Sequence, residues 1–149
     1  VAVPLPATFD NPWLWLHVTA GKLFLGLCLP AAATALWLLV RRKDGSSKGG
    51  EMDAAVWLTL SLAFVCHSFM LIAGAIWAHS AWGRYWAWDP LETWAFATWL
   101  AMVFGFHAKV RYRLSPKIER LFMVGVFLLA FLTFFGVPFT SVGPHKGIL

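Results

Sequence analysis

"WAHSAWGRYWAWDPLETW", residues 77–94, joins two long apolar runs, about 54–78 and 91–110, and its reading decides the fold. Its eighteen residues hold five tryptophans (Trp77, Trp82, Trp86, Trp88 and Trp94) beside Tyr85, His79, Arg84, Asp89 and Glu92. Two more apolar stretches, about 13–40 and 121–138, lie outside it. A bilayer crossing takes roughly 20 helical residues at about 1.5 Å each, so all four can span. Across the chain 60% of residues are hydrophobic and 13% charged, with a mean hydropathy of +0.69; ordinary soluble domains do not reach such values. The expected fold is all-α: a polytopic membrane bundle of four transmembrane helices, forming one domain over residues 1–149 without internal repeats.

Basic residues orient the bundle. "RRKDGSSKGGE" carries Arg41, Arg42, Lys43 and Lys48, and "KVRYRLSPKIER" carries Lys109, Arg111, Arg113, Lys117 and Arg120, nine of the twelve Lys and Arg in the chain. By the positive-inside rule the loops 41–53 and 111–120 face the cytoplasm, so both termini and the tryptophan-rich loop face outward. The pI near 9.6 follows from this topology and implies no nucleic-acid partner, because the charge is divided between juxtamembrane segments.

The run "DGSSKGG" reads as a flexible connector. "VAVPLPATFDNP" has no basic region followed by an apolar one and does not read as a signal peptide; the abrupt start just ahead of a span suggests a piece of something larger. Cys28 and Cys66 stand singly on separate spans, and no C-x-x-C-H occurs, so the chain is not expected to carry covalent haem c of its own. Two small buried apolar residues is the plainer reading of these cysteines, a redox pair the sharper one.

In "DPLE", Asp89 fits a helix N-cap, Pro90 the first helical position and Glu92 the third, a capping-box start for the third span. Tryptophans also gather at membrane interfaces, but five in one loop, with Trp99 a turn further on, exceed what an interfacial belt needs. They suit a platform for a large, flat, apolar ligand. His17 in "NPWLWLHV", His79 at the head of the loop and His145 in "SVGPHKGIL" all fall on the outer side. Imidazole is a usual axial ligand of haem iron, and two histidines flanking an aromatic floor outline a six-coordinate haem site. His67 and His107 lie within spans, where an ionisable group is a functional candidate. They differ by about 15 Å in depth, too far to share one iron. His67 is expected to be a hydrogen-bonded interior histidine, and His107 to take its partner from another chain.

The stretch "GAIWAHSAWGRYWAWDPLETWAFATWL" closely resembles the signature of the cytochrome c biogenesis proteins of the CcsA/ResC type, haem-handling membrane proteins with a "WWD" domain. The resemblance extends to "NPWLWLHV" and "FFGVPFTSVGPHKG", where it maps the two external haem-ligating histidines onto His17 and His145. It maps an intramembrane histidine, serving a second haem nearer the cytoplasm, onto His107. His79, Trp82, Trp86, Trp88 and Asp89 belong to the signature itself.

What the resemblance implies is a haem transporter and part of a cytochrome c synthetase, a haem lyase. Haem b would be held at the external site and presented to the thiols of an apocytochrome c. The setting would be a bacterial cytoplasmic or chloroplast thylakoid membrane, with the aromatic loop toward periplasm or lumen and other membrane subunits as partners. A second reading keeps haem b permanently, in a membrane electron-transfer subunit of a quinone-linked respiratory complex beside a multihaem cytochrome c. A third, a membrane anchor without haem, requires the His17 and His145 pair to be accidental and ranks last.

Overall fold

The computed structural model describes residues 10–41 and 48–136, and these are helical apart from two short connections. Helix α1 spans Pro12–Val40, α2 Lys48–Trp82, α3 Pro90–Arg111 and α4 Pro116–Phe131, with a π-helical turn at Leu132–Gly136 prolonging α4. The described residues contain no strand.

Each helix start has a local cause. Pro12, Pro90 and Pro116 open α1, α3 and α4, where the missing N–H costs nothing. The Asn11 side chain accepts from the N–H of Trp13 at 2.9 Å, and its amide donates to Ser80 Oγ at 2.9 Å, which ties the start of α1 to the end of α2. Helix α2 is longer than its apolar core suggests. Residues 48–53 are helical although they lie in a turn-rich basic stretch, and 77–82 are helical although they open the tryptophan-rich segment. Nothing in "WAHSAW" breaks a helix. The break is Gly83, whose φ of 71° needs a residue without a Cβ, and its N–H donates to the His79 carbonyl at 2.8 Å. The connection between α2 and α3 is therefore only 83–89, and that between α3 and α4 only 112–115.

Helices α1 and α2 pack most extensively, and α4 lies against α1. Their shared face is lined by Ala20, Phe24, Ala31 and Ala35 on one side and Leu60, Ala63 and Ala73 on the other; small residues let the two backbones approach closely. Cys28 is in this core and Cys66 packs against it, both as free thiols. A polar cluster ties the four helices at the end that carries the 112–115 connection. Arg120 grips Asp53 through two nitrogens at 2.9 and 2.7 Å and donates to the Leu38 carbonyl at 3.1 Å. Glu119 accepts from both Trp57 Nε1 and Lys109 Nζ at 2.6 Å.

Three segments, Pro12–Val40, Lys48–Trp82 and Pro116–Gly136, are long and apolar enough to cross a membrane. The protein is thus an integral membrane protein. Helix α3 has the length, 22 residues, but Glu92, Thr93 and Thr98 at one end and His107, Lys109 and Arg111 at the other shorten its apolar stretch.

Candidate functional site

His17 lies on the second turn of α1, half-buried between that helix and α2. Its Nδ1 is 2.8 Å from the Met70 carbonyl oxygen. A carbonyl only accepts, so Nδ1 carries the proton of this bond. The ring also stacks with Trp77 at 6.5 Å and lies so close to Gly74 that a Cβ there would stand 2.5 Å from Nδ1. A glycine inside a helix costs about 1 kcal/mol relative to alanine. Here it makes room for the imidazole.

Four of the tryptophans of residues 77–94 form two groups. Trp77 and Trp82, on the last turns of α2, meet edge to face at 4.9 Å on the His17 side. Trp86 meets Trp88 at 5.7 Å and Phe96 of α3 at 6.0 Å, again edge to face. The ring of Trp88 is 70% exposed, and its φ of 57° is a conformation that costs a non-glycine residue roughly 1–2 kcal/mol. Strain of this kind gathers at functional positions. His79 is exposed and stacks on Tyr85 at 4.2 Å, so it shares one end of the bundle with His17 but pairs with a different ring.

Asp89 caps α3 as expected, but the return bond of a capping box is displaced from the Asp89 N–H to that of Ala87. The Asp89 carboxylate accepts from Glu92 N–H at 2.9 Å, and Glu92 accepts from Ala87 N–H at 2.8 Å. The second bond reaches two residues ahead of the cap, so the pair fixes the loop as well as the helix start.

From Trp86 an aromatic ladder runs inward. Phe96, Trp99, Phe64, Phe106 and Trp57 follow at centroid separations of 6.0, 6.0, 5.6, 5.4 and 5.7 Å. Trp99 Nε1 donates to Ser68 Oγ at 2.9 Å. The ladder holds α3 to α2 and ends on the Glu119 cluster. Trp99 was legible as a ring behind the loop; the phenylalanines and Trp57 were not, because their role depends on which faces of two helices meet.

The interior histidines differ from one another. His67 is 1% exposed, against Phe24 at 4.1 Å. The hydrogen bonding expected of it is not formed: neither ring nitrogen has a well-made partner among the described residues, although the Ala95 backbone lies close. The buried hydroxyls of Thr98 and Thr133 donate to the carbonyls of their own helices. His107 is exposed on α3, on the face that carries Leu100 and Phe104, and points away from the bundle. His145 lies outside the described residues. Among the described residues no three of His, Cys, Asp and Glu gather as a metal site.

Residues 3–145 match the model of the cytochrome C assembly protein family. The chain belongs to that family. The cytochrome c biogenesis protein CcsA of Chlamydomonas reinhardtii is 29% identical over 152 residues, covering 97% of this chain and 43% of the relative. Its counterpart in Prochlorococcus marinus (strain MIT 9312) is 35% identical over 100 residues, 67% of this chain and 32% of that protein. CcsA of Cuscuta reflexa is 34% identical over 96 residues, 64% of this chain and 31% of its own length. The chain thus spans less than half the length of these family relatives. Of the site residues, the family resemblance singled out His17, His79, Trp82, Trp86, Trp88 and Asp89; Gly74 and the Met70 carbonyl needed the helix packing to be found. A glycine inside an apolar helical run was the available signal for Gly74.

Proposed function

We propose that this chain is the haem-holding bundle of a cytochrome c biogenesis assembly, with haem b as its cargo. The observation that carries this is the His17 imidazole, whose Nδ1 is held on the Met70 carbonyl at 2.8 Å; Nε2 is the nitrogen proposed to meet iron. A backbone carbonyl that fixes the tautomer and orients the ring is the usual support of a metal-binding histidine. His145 is the proposed second axial ligand, and His79 the alternative to it. Trp82, Trp86 and Trp88 supply ring faces and edges for the porphyrin, while Asp89 and Glu92 hold the loop that presents them. When bound, haem supplies the vinyl groups to which the two thiols of a C-x-x-C-H acceptor add.

In this reading α3 is a fourth span. Its Lys109 and Arg111 then lie at the cytoplasmic face, both termini and the loop 83–89 lie outside, and the whole chain forms one membrane domain. The exposed face of α3 with His107 belongs to a second haem shared with a histidine from another membrane subunit. Apocytochrome c and other biogenesis components are the partners. The membrane is that of a bacterium or a thylakoid, as the cyanobacterial, algal and plant relatives suggest. The relatives cited carry biogenesis names and lend no support to a respiratory electron-transfer subunit.

The test is spectroscopic. The purified protein should show a low-spin bis-histidine haem b, and His17→Ala or His145→Ala should each cause loss of haem or conversion to high spin. Added imidazole should restore the low-spin signal by filling the vacated position. Unchanged spectra in both variants would remove the assignment.

A further inference from the structure

Lys22 is a charge inside a span that the site above does not use. It stands on α1 with its side chain exposed, among Thr19, Leu23 and Gly26. Trp15 and Trp37, both exposed, lie on the same helix, 22 residues or about 33 Å apart, the spacing of two interfacial rings across a hydrocarbon core of about 30 Å. Lys22 is seven residues inside Trp15, about 10 Å below that edge. The described ion pairs join Lys109 to Glu119 and Arg120 to Asp53; no hydrogen bond or ion pair reaches Lys22 among the described residues. An ammonium group at this depth is costly against lipid, and such groups generally face a partner.

The face around it is shaped for a helix. Thr19, Gly26 and Ala33 alternate with Lys22, Leu29 and Leu36 at steps of three and four, and all six are exposed. The buried stripe of Ala20, Phe24, Ala31, Ala35 and Leu38 is on the other side. Small residues in one register and large ones in the other form the holes and knobs of a heptad seam. A Cβ added at Gly26 would meet nothing within 4 Å. Pro30, inside α1, has no N–H to offer the Gly26 carbonyl one turn earlier, which leaves an acceptor on this surface where lipid cannot satisfy it.

We propose that this face of α1 is the docking surface for a further transmembrane helix that presents an Asp or Glu opposite Lys22. Charge selects the occupant. A second copy related by an axis along the membrane normal runs parallel, and would set Lys22 against its own image in a medium of low dielectric. A lipid tail offers no counter-charge. The match covers 43% of the Chlamydomonas relative, so more than half of that relative's length lies outside the bundle described here. The inference does not rest on the haem reading.

The test places p-benzoylphenylalanine at Ala33 in the full chain, irradiates native membranes and identifies the adduct by mass spectrometry. The expected adduct is with an apolar helix whose Asp or Glu lies 11 residues, about 16 Å, further toward the outer face. Its yield should fall at least about tenfold in Lys22→Leu, because one member of a desolvated charge pair is then left alone, and should persist in Lys22→Arg. Lys22→Glu should lose the adduct and regain it when the partner's carboxylate is changed to Lys. Lys22→Met, which keeps the length of the stem, replaces Lys22→Leu should the latter not be recovered as a monodisperse species. Adducts with lipid alone, with a second copy or with a helix lacking the acid would overturn the proposal, as would an undiminished yield in the charge-free variants.

Discussion

The His17 ring sits over Gly74, its Nδ1 2.8 Å from the carbonyl oxygen of Met70 one turn earlier on α2. The two contacts act together: the carbonyl sets the tautomer, and the missing Cβ sets how near the ring comes to the helix. An imidazole held in this way has its orientation fixed by the packing of α1 on α2, so its rotamer freedom is already spent.

Gly74→Ala should therefore displace the imidazole without removing it. The expected outcome is reduced haem content or a shifted low-spin spectrum in a protein that still purifies as a monodisperse species. Gly125→Ala is the control, since a Cβ there meets nothing within 4 Å. Equal haem spectra in the two variants would separate Gly74 from the function of His17.

Ring contacts in the tryptophan-rich segment are shared among several rings, each contributing about 0.5–1.5 kcal/mol beyond burial. Trp82→Phe, Trp86→Phe and Trp88→Phe should each weaken haem retention modestly, and the triple alanine variant should abolish it. Haem per protein by pyridine haemochrome in one detergent measures this. A full haem complement in the triple variant would make the loop an interfacial belt.

Asp89 caps α3 through Glu92 N–H at 2.9 Å, and loss of an N-cap costs typically about 1 kcal/mol. Asp89→Ala should lower yield and thermal stability in detergent while the surviving protein keeps its haem spectrum. Asp89→Asn, which retains an accepting oxygen, should be close to the parent. Haem loss in Asp89→Ala at unchanged stability would instead place the carboxylate in the binding site.

If α3 crosses the membrane, Arg84 and Ser115, both exposed and at its two ends, lie on opposite faces. Cysteines introduced at these positions one at a time should react with an impermeant maleimide from opposite sides of sealed cells or vesicles, Arg84→Cys from outside and Ser115→Cys only after permeabilisation. Labelling of both from one side would leave three spans, those of α1, α2 and α4.

Local chemistry made much of this legible. The apolar runs marked the helices, the Asp-Pro-x-Glu pattern marked the start of α3, and the density of tryptophan marked the segment between α2 and α3, because hydropathy and capping depend on residues a few positions apart. Where helices end was less legible: residues 77–82 continue α2 and only Gly83 stops it. The cross-helix relations were settled by packing alone. His17 on Met70, the ladder from Trp86 to Trp57 and Glu119 shared by Trp57 and Lys109 all require knowing how each helix is rotated about its axis. The reason lies in the solvent. In water an apolar stripe marks the buried face of a helix, but lipid-facing residues are as apolar as core residues: exposed Leu23, Leu29 and Leu36 look no different in sequence from buried Leu38 and Leu60. The sequence by itself therefore marked a membrane bundle with a tryptophan-rich segment, and only the tertiary structure decided which side chains of that bundle face one another.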